Sequence, residues 1–415
     1  MSIVDIVKSA LQSLLVHKGR SVLTILGVMI GIGAIIIVMS IGDSAQTMVT
    51  EQIQSFGSKN VYINPGSPSD GLFSGSGQSA AMLATTLTEK DVERLRRSIE
   101  VPGAALLSAN VQTSASISYE SETKTMGILG VGADAMTIYN ISVEKGENLT
   151  QEEVDQKSAV IVLGKNIVKD LFGVDDPIGK KVKIKDQKFK VIGIFSSAGA
   201  AMMGIDDLAV IPYSTAQQFL LGTRHFQEIA IQAKTLEDVP AVVSDVKRVL
   251  RDSHNITDPA KDDFIVTTQE DIIKSVDSIL GAITVFLSFV AAISLIVGGI
   301  GVMNIMFVSV TERTKEIGLR KALGATNENI LIQFLLEASM LTGLGGVVGI
   351  IGGSIITYLL VIIASYTTNL SFPFIFSWLG VVLGLIVSCG TGIIFGIFPA
   401  YRASKKSPME ALHYE

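Results

Sequence analysis

SILGAITVFLSFVAAISLIVGGIGVMNIMFVSVT, residues 278–311, runs for 34 positions without a charge between Asp277 and Glu312. A helix needs about 20 apolar residues to cross a hydrocarbon core roughly 30 Å thick. The stretch therefore holds one span with length to spare, and the excess predicts a helix that rises out of the membrane. Outward from it lie two more charge-free stretches. Ser21 to Gly42, between Arg20 and Asp43, fits one span. Ala338 to Tyr401 fits two, parted at Tyr366 to Phe374 (YTTNLSFPF), where Asn369 and Pro373 suit a turn. The chain reads as membrane α-helical with four transmembrane helices, over 21–43, 278–310, 335–365 and 374–400.

Bulk composition agrees: 48% of the 415 residues are hydrophobic, 17% are charged, and the mean hydropathy is +0.48, a balance that soluble domains seldom reach. The charge is concentrated in the middle. Residues 43–277 hold 23 Lys and Arg against 32 Asp and Glu, which predicts a large acidic domain inserted between the first two spans.

Orientation follows from Lys and Arg in the short flanks. Lys8, Lys18 and Arg20 precede the first span, Arg313, Lys315, Arg320 and Lys321 join the second to the third, and Arg402, Lys405 and Lys406 follow the fourth. Both termini and the 311–330 loop are expected in the cytoplasm, with residues 44–277 outside a plasma or inner membrane. A cleaved signal peptide does not fit the first span: its leader and apolar core are too long, and Asp43 spoils the small-residue cleavage pattern. Ile3, Ile6, Val7, Ala10, Leu11, Leu14 and Leu15 make one helical stripe within residues 1–20. That amphipathic helix suits either the inner membrane surface or a partner subunit. Residues 401–415 form the cytoplasmic tail.

Helical periodicity continues past the membrane at Ile41, Ala45, Met48, Gln52 and Phe56, and at Ile272, Val276, Ile279 and Ile283, predicting two stalk helices. Asn64 to Ala80, rich in Gly, Ser and Pro, reads as a mobile loop. Leu87 to Ser98 reads as a helix capped by Thr88 with Asp91. Strand-like runs are Val111 to Tyr119, Met126 to Val131, Lys181 to Phe195, Leu208 to Pro212 and Glu228 to Ala233. A helix over Leu236 to Arg251 and a strand over Phe264 to Thr267 complete an α+β domain, expected in two lobes.

Chemistry is sparse. Gly173 to Lys181 (GVDDPIGKK) mimics a phosphate loop, but five residues part the glycines and Lys181 stands where Ser or Thr is required; a glycine turn entering a strand reads better. His17, His225, His254 and His413 have no metal-ligand spacing. Asp258 to Asp263 (DPAKDD) lacks the calcium-loop layout and reads as a solvated loop. Cys389, the single cysteine, reads as a small apolar filler. No catalytic site, metal, bound cofactor or nucleic-acid partner is expected. Ion-coupled transporters place ionisable groups at membrane depth, yet these spans hold none, with Glu337 at the inner end of the third. Energy must enter from elsewhere. Glycines four apart, Gly27 and Gly31, Gly345, Gly349 and Gly353, Gly380 and Gly384, and Gly392 and Gly396, let helices approach closely, within one chain or across a dimer seam.

The loop Thr311 to Ala325 (TERTKEIGLRKALGA) interleaves acids with bases, and Glu316 with Arg320 makes an i, i+4 pair that supports a short helix. A solvated turn obeying the positive-inside rule would explain the bases but not the acids, Ile317 or Leu323. A docking helix for a cytoplasmic protein explains all of them.

This loop resembles the hallmark segment of the MacB/FtsX-like ABC transporter permease family, in which a glutamate, an arginine and a Glu-Ile-Gly-x-Arg-x-Ala-x-Gly-Ala pattern follow the second span. Here these are Glu312, Arg313 and Glu316 to Ala325. Leu14 to Ile35 looks like that family's approach to span one, and Asp175 to Phe195 like its outer core domain. The resemblance implies a mechanotransmission-type ABC transporter fold, a homodimer in the lipid bilayer, and an inserted extracytoplasmic MacB-like core domain. It implies coupling to an ATPase through Glu312, Arg313, Glu316, Ile317, Arg320 and Lys321, and helix packing through the glycines. MacB carries its ATPase ahead of the first span, whereas 20 residues precede it here, so ATP is expected on a separate ATP-binding subunit. The implied function is export of antimicrobial peptides or macrolide-like compounds with a membrane-fusion-type adaptor. The alternative is FtsX-like regulation of an extracellular cell-wall hydrolase.

Overall fold

Large apolar side chains cover the outside of the helical part of this protein as well as filling its core, unlike a soluble bundle, and glycines and hydroxyl residues sit among those inside. The computed structural model describes residues 18–55, 57–67, 85–196, 205–368 and 372–409. The amphipathic stripe of residues 1–17, most of the Gly/Ser/Pro stretch, Phe56, His17, His413 and the end of the tail lie outside the described residues. The chain divides into two compact units, residues 1–48 with 277–415, and residues 49–276.

In the first unit, α1 (Lys18–Ser55), α5 (Gln269–Glu312), α7 (Asn327–Thr368) and α8 (Trp378–Lys405) are each long and apolar enough to cross a membrane. Phe286, Phe289, Ile293 and Val297 of α5, Ile351, Ile355 and Leu359 of α7, and Ile386, Ile393 and Ile397 of α8 are exposed, as lipid-facing residues must be. Inside, Thr342, Thr357 and Ser388 are fully buried; their hydroxyls donate to carbonyls three or four residues back, so none is left unpaired in an apolar surround. At 44 residues and 1.5 Å per residue, α5 is roughly 66 Å long, twice what the hydrocarbon core requires. Both α1 and α5 continue unbroken into the second unit's residues, as the stalk periodicity predicts.

The glycine spacing is taken up within the chain. A Cβ on Gly345 would lie 3.2 Å from Ile25 O, on Gly349 2.8 Å from Met29 O, and on Gly353 2.8 Å from Gly33 O. The third span is thus seated on the backbone of the first. Gly27 faces Gly298 at 3.2 Å and Gly31 faces Leu295, seating the first span on the second. Gly392 and Gly396 take up Ser339 and Ala338 in the same way. Cys389 is exposed, not the filler expected of it.

The second unit is a ten-stranded mixed sheet with helices α2 (Glu89–Arg96), α3 (Lys165–Phe172) and α4 (Val239–His254). Its strands are β1 (Asn60–Pro65), β2 (Ala104–Tyr119), β3 (Glu122–Val131), β4 (Ser142–Gly146), β5 (Val160–Gly164), β6 (Lys181–Ile184), β7 (Gln187–Ser196), β8 (Leu208–Pro212), β9 (Glu228–Ala233) and β10 (Phe264–Thr268). The long β2 belongs to both lobes. Its first half pairs antiparallel with β9 in the order β10-β1-β9-β2, and its second half pairs with β3. From there β3, β8, β5, β7 and β6 follow in turn, and β6 pairs back to β2 at Ile117 and Ser118, closing a hydrogen-bonded circuit. Every strand of that circuit thus has a partner on both sides, and β4, paired with β7, is the edge strand of that lobe.

The single run expected over Lys181 to Phe195 is a hairpin. Ile184 pairs with Gln187, so Lys185 and Asp186 form a two-residue turn, with Lys185 at φ +51°. Such turns ordinarily advertise themselves with Asn-Gly or Asp-Gly; Lys-Asp gives no such signal. The phosphate-loop lookalike is a pair of turns in which Gly173 and Gly179 take positive φ, and Lys180 is engaged by Asp175 at 2.9 Å.

Candidate functional site

Between the second and third spans the chain breaks helix at Arg313 (φ −99°, ψ 14°) and re-enters it as α6 (Thr314–Ala322). Thr314 secures the corner. It is buried, and its hydroxyl donates back to Val310 O at 3.0 Å and Thr311 O at 2.8 Å. Gly324, at φ +101°, lets the chain leave α6 in a conformation other residues resist. Thr326 Oγ1 then accepts from Asn329 N at 3.2 Å and caps α7.

Positions 313, 317 and 321 share one helical face, and that face is turned into the bundle. The Arg313 guanidinium reaches Glu316 Oε2 at 2.8 Å and Glu337 Oε2 at 3.1 Å, and lies 5.8 Å over the Phe334 ring. Ile317, 1% exposed, joins Ile330, Phe334 and Ala338 in the bundle core. Lys321 donates to Ser404 O at 2.5 Å and Lys406 O at 2.8 Å, holding the carbonyl end of α8. Burial lowers the Lys321 ammonium below its ordinary value. Glu316, hydrogen-bonded by Arg313 and Arg320, is held below the usual carboxylate range.

Positions 315, 319 and 323 share the other face. Lys315 is exposed there, with Leu319 at 55% and Leu323 at 81% exposure, next to the half-buried Glu316 and Arg320. A short helix tied down along one side presents two leucines and a rim of charges along the other.

This geometry redistributes the six residues expected to couple to an ATPase. Glu312 is exposed, Glu316 and Arg320 stand at the rim, and Arg313, Ile317 and Lys321 are engaged with the bundle. Ile317 is a core residue. Leu319 is not among the six, and Glu337, expected only to mark the inner end of the third span, is buried and paired inside α7. One signal could have found it: Glu337 is the only charge between Glu328 and Arg402, and a lone carboxylate in so apolar a stretch requires a cationic partner.

A second polar cluster ties the outer unit together. Asp91 accepts from Thr88 N at 2.9 Å, Thr88 Oγ1 at 2.8 Å and Ser253 Oγ at 2.5 Å, and stands 3.3 Å from His254 Nε2. His254 Nδ1 lies 2.7 Å from Asp263 Oδ1. Asp91 pushes His254 up to about 9 against the opposing effect of burial, and Asp263 adds to it. Burial raises Asp91, but His254, Ser253 and Thr88 outweigh it and hold that carboxyl well below the usual range. Asp262, in the stretch expected to be a solvated loop, is buried against Arg251 at 2.7 Å. Among the described residues no group of His, Cys, Asp and Glu could hold a metal ion.

Residues 21–249 match the MacB-like periplasmic core domain, and residues 288–408 the FtsX-like permease C-terminal domain. The chain is 33% identical over 420 residues to the ABC transporter permease YknZ of Bacillus subtilis, covering the whole of both. It is 32% identical over 417 residues to the macrolide export ATP-binding/permease protein MacB of Wolinella succinogenes, covering all of this chain and 61% of that one. The chain thus spans about three fifths of the length of such MacB relatives. The periplasmic region of MacB from Actinobacillus actinomycetemcomitans aligns at a TM-score of 0.46 and 20% identity, over 54% of this chain and 95% of that one. With four membrane-length helices, an inserted extracytoplasmic domain and two family domains spanning most of its length, this chain belongs to the MacB/FtsX-like ABC transporter permeases.

Proposed function

We propose that this chain is the permease subunit of an ABC-type efflux system, and that a separate ATP-binding subunit docks on α6 from the cytoplasm. The observation that carries the reading is the outward face of α6. Leu319 and Leu323 stand exposed on a helix whose opposite face is fixed to the bundle by Arg313, Ile317 and Lys321. An exposed apolar pair with a charged rim suits a protein partner. The charge-free cores of the spans offer no site for a coupling ion, which leaves mechanical contact as the energy input. Both termini and α6 then lie in the cytoplasm, in line with the basic flanks. Nucleotide-driven displacement of α6 passes along α5, roughly twice the membrane's thickness, to the outer domain. Such coupling needs contacts that differ between two states. The outer domain drives antimicrobial-peptide or macrolide-like cargo through a membrane-fusion-type adaptor, and the permease works as a homodimer.

The test is affinity capture of the full-length tagged chain from crosslinked native membranes. An ATP-binding subunit and an adaptor recovered together support efflux. Recovery of the ATP-binding subunit with a cell-wall hydrolase in place of the adaptor would assign the FtsX-like regulatory role. Cargo movement by the purified chain without a nucleotide-hydrolysing companion would overturn both readings.

A further inference from the structure

Resting on the reading of α6 as the docking element, we infer that Glu337 is a positioning residue that fastens α6 to the third span through Arg313, and so opens a second output route through the first span. In a single-route account the displaced helix pulls only on α5, to which the chain connects it. The structure assigns α6 firmer attachments elsewhere. Arg313 is bonded to Glu337 at 3.1 and 3.3 Å and stacked over Phe334, both on α7, and Ile317 is buried with Ile330 and Phe334 of the same helix. Glu337 is 7% exposed and Arg313 lies mostly inside, so the pair sits where charge–charge attraction is little screened, and separating it strands a charge in an apolar surround. Displacing α6 therefore carries the inner end of α7 with it.

What α7 does next is set by its glycines. Gly345, Gly349 and Gly353 bring its backbone against that of Ile25, Met29 and Gly33 of α1 over two helical turns, with the β-branched side chains of Val28, Ile32 and Ile36 packed tightly beside each contact. Close-packed surfaces transmit displacement instead of cushioning it. The first span is one helix that continues to Ser55. The second route is thus α6 to α7 through Arg313–Glu337, then α7 to α1 through the glycines, alongside the direct route through α5. Contiguity alone does not establish coupling, so the test reads the two arms separately.

The captured complex of full-length permease with its ATP-binding subunit is compared with and without magnesium ATP by hydrogen exchange, at residues 43–55 of α1 and 269–277 of α5. In the unaltered protein ATP changes exchange in both segments. Glu337→Gln, which keeps the side chain's shape and removes its charge, still co-purifies with the ATP-binding subunit and keeps the α5 response. Its α1 response falls at least fivefold. Glu337→Asp retains both responses. A general packing defect would depress both arms together and would not spare Glu337→Asp. Equal α1 responses in Glu337→Gln and the unaltered protein overturn this inference and leave the docking role of α6 standing. Absence of any ATP response in either segment of the unaltered complex overturns both.

Discussion

Gly353 in the third span faces Gly33 in the first so closely that a Cβ on Gly353 would lie 2.8 Å from the Gly33 carbonyl oxygen. Backbone meets backbone there, and neither helix can yield to an added side chain without the spans parting. Gly353→Val is expected to destabilise the protein by about 1–3 kcal/mol through overpacking, and Gly349→Val, against Met29 O, by a similar amount. Gly352, on the same helix with nothing within 4 Å of its Cβ position, is the control. Gly352→Ala should leave stability unchanged or slightly raised. Thermal unfolding of the detergent-solubilised protein distinguishes these outcomes.

The outer domain should lose stability on both sides of a mildly acidic window. His254 is raised from 6.5 to about 9 in the folded state, so its contribution is complete below pH 6.5 and disappears as pH rises through 9. Asp91 is lowered, so its contribution is complete above its ordinary value near 4 and fades as pH falls below it. Asp263, Ser253 and Thr88 are the other polar groups facing this pair. Hydrogen exchange across α4 should show a loss on the order of 2 kcal/mol between pH 6.5 and 9. His254→Gln should flatten that slope; an unchanged slope in the variant would remove the cluster from the account.

Much of this architecture was legible from the pattern of residues alone, and the failures have physical causes. The four spans could be read because charge is excluded from hydrocarbon, a rule with few exceptions over 20 residues. The strands β8 and β9 were read to the residue, Leu208–Pro212 and Glu228–Ala233, because Asp207 and Pro212 bracket one apolar run and Glu228 and Lys234 the other. By contrast β5, Val160–Gly164, is just as apolar, yet it is followed at once by α3, and a run of five residues cannot show its period. The connector could be placed but not oriented. Ile317 and Leu323 look equivalent in sequence, and only the position of Glu337, 24 residues from Arg313, decides that Arg313 and Ile317 turn inward while Leu323 turns out. Long-range ion pairs carry no local signature.

Leu319 and Leu323 are expected to be the binding determinants of the ATP-binding subunit. Leu319→Asp with Leu323→Asp should reduce its co-purification at least tenfold while the permease inserts and unfolds as before, since both side chains already face solvent. A charge reversal at Glu316 and Arg320 is a harsher test. Lysine at 316 would face Arg313 and loosen the whole connector, so lost coupling there should come with lost stability.

Where the two lobes share β2, Tyr139 donates to Glu228 and accepts from Asn110 Nδ2 at 2.6 Å, with Asn110 also donating to Glu228 at 3.0 Å. Tyr139→Phe keeps the ring stacked on Tyr62, 6.3 Å between centroids, and removes only the hydroxyl. A cost of about 1–3 kcal/mol is expected for the bonds lost. It should appear as faster hydrogen exchange across residues 104–119, where the lobes meet. Exchange equal to the unaltered protein's would mean the cluster does not secure the lobes.

The central claim is that work enters through the outward face of α6. A photo-crosslinking residue at position 323, in membranes containing the full system, should yield an adduct with the ATP-binding subunit, and ATP should alter its yield. The same residue placed at Ile317 should yield none, because that position is filled by the bundle core. An adduct at 317 in place of 323, or labelling of position 323 by a membrane-impermeant reagent added from outside, would contradict the account.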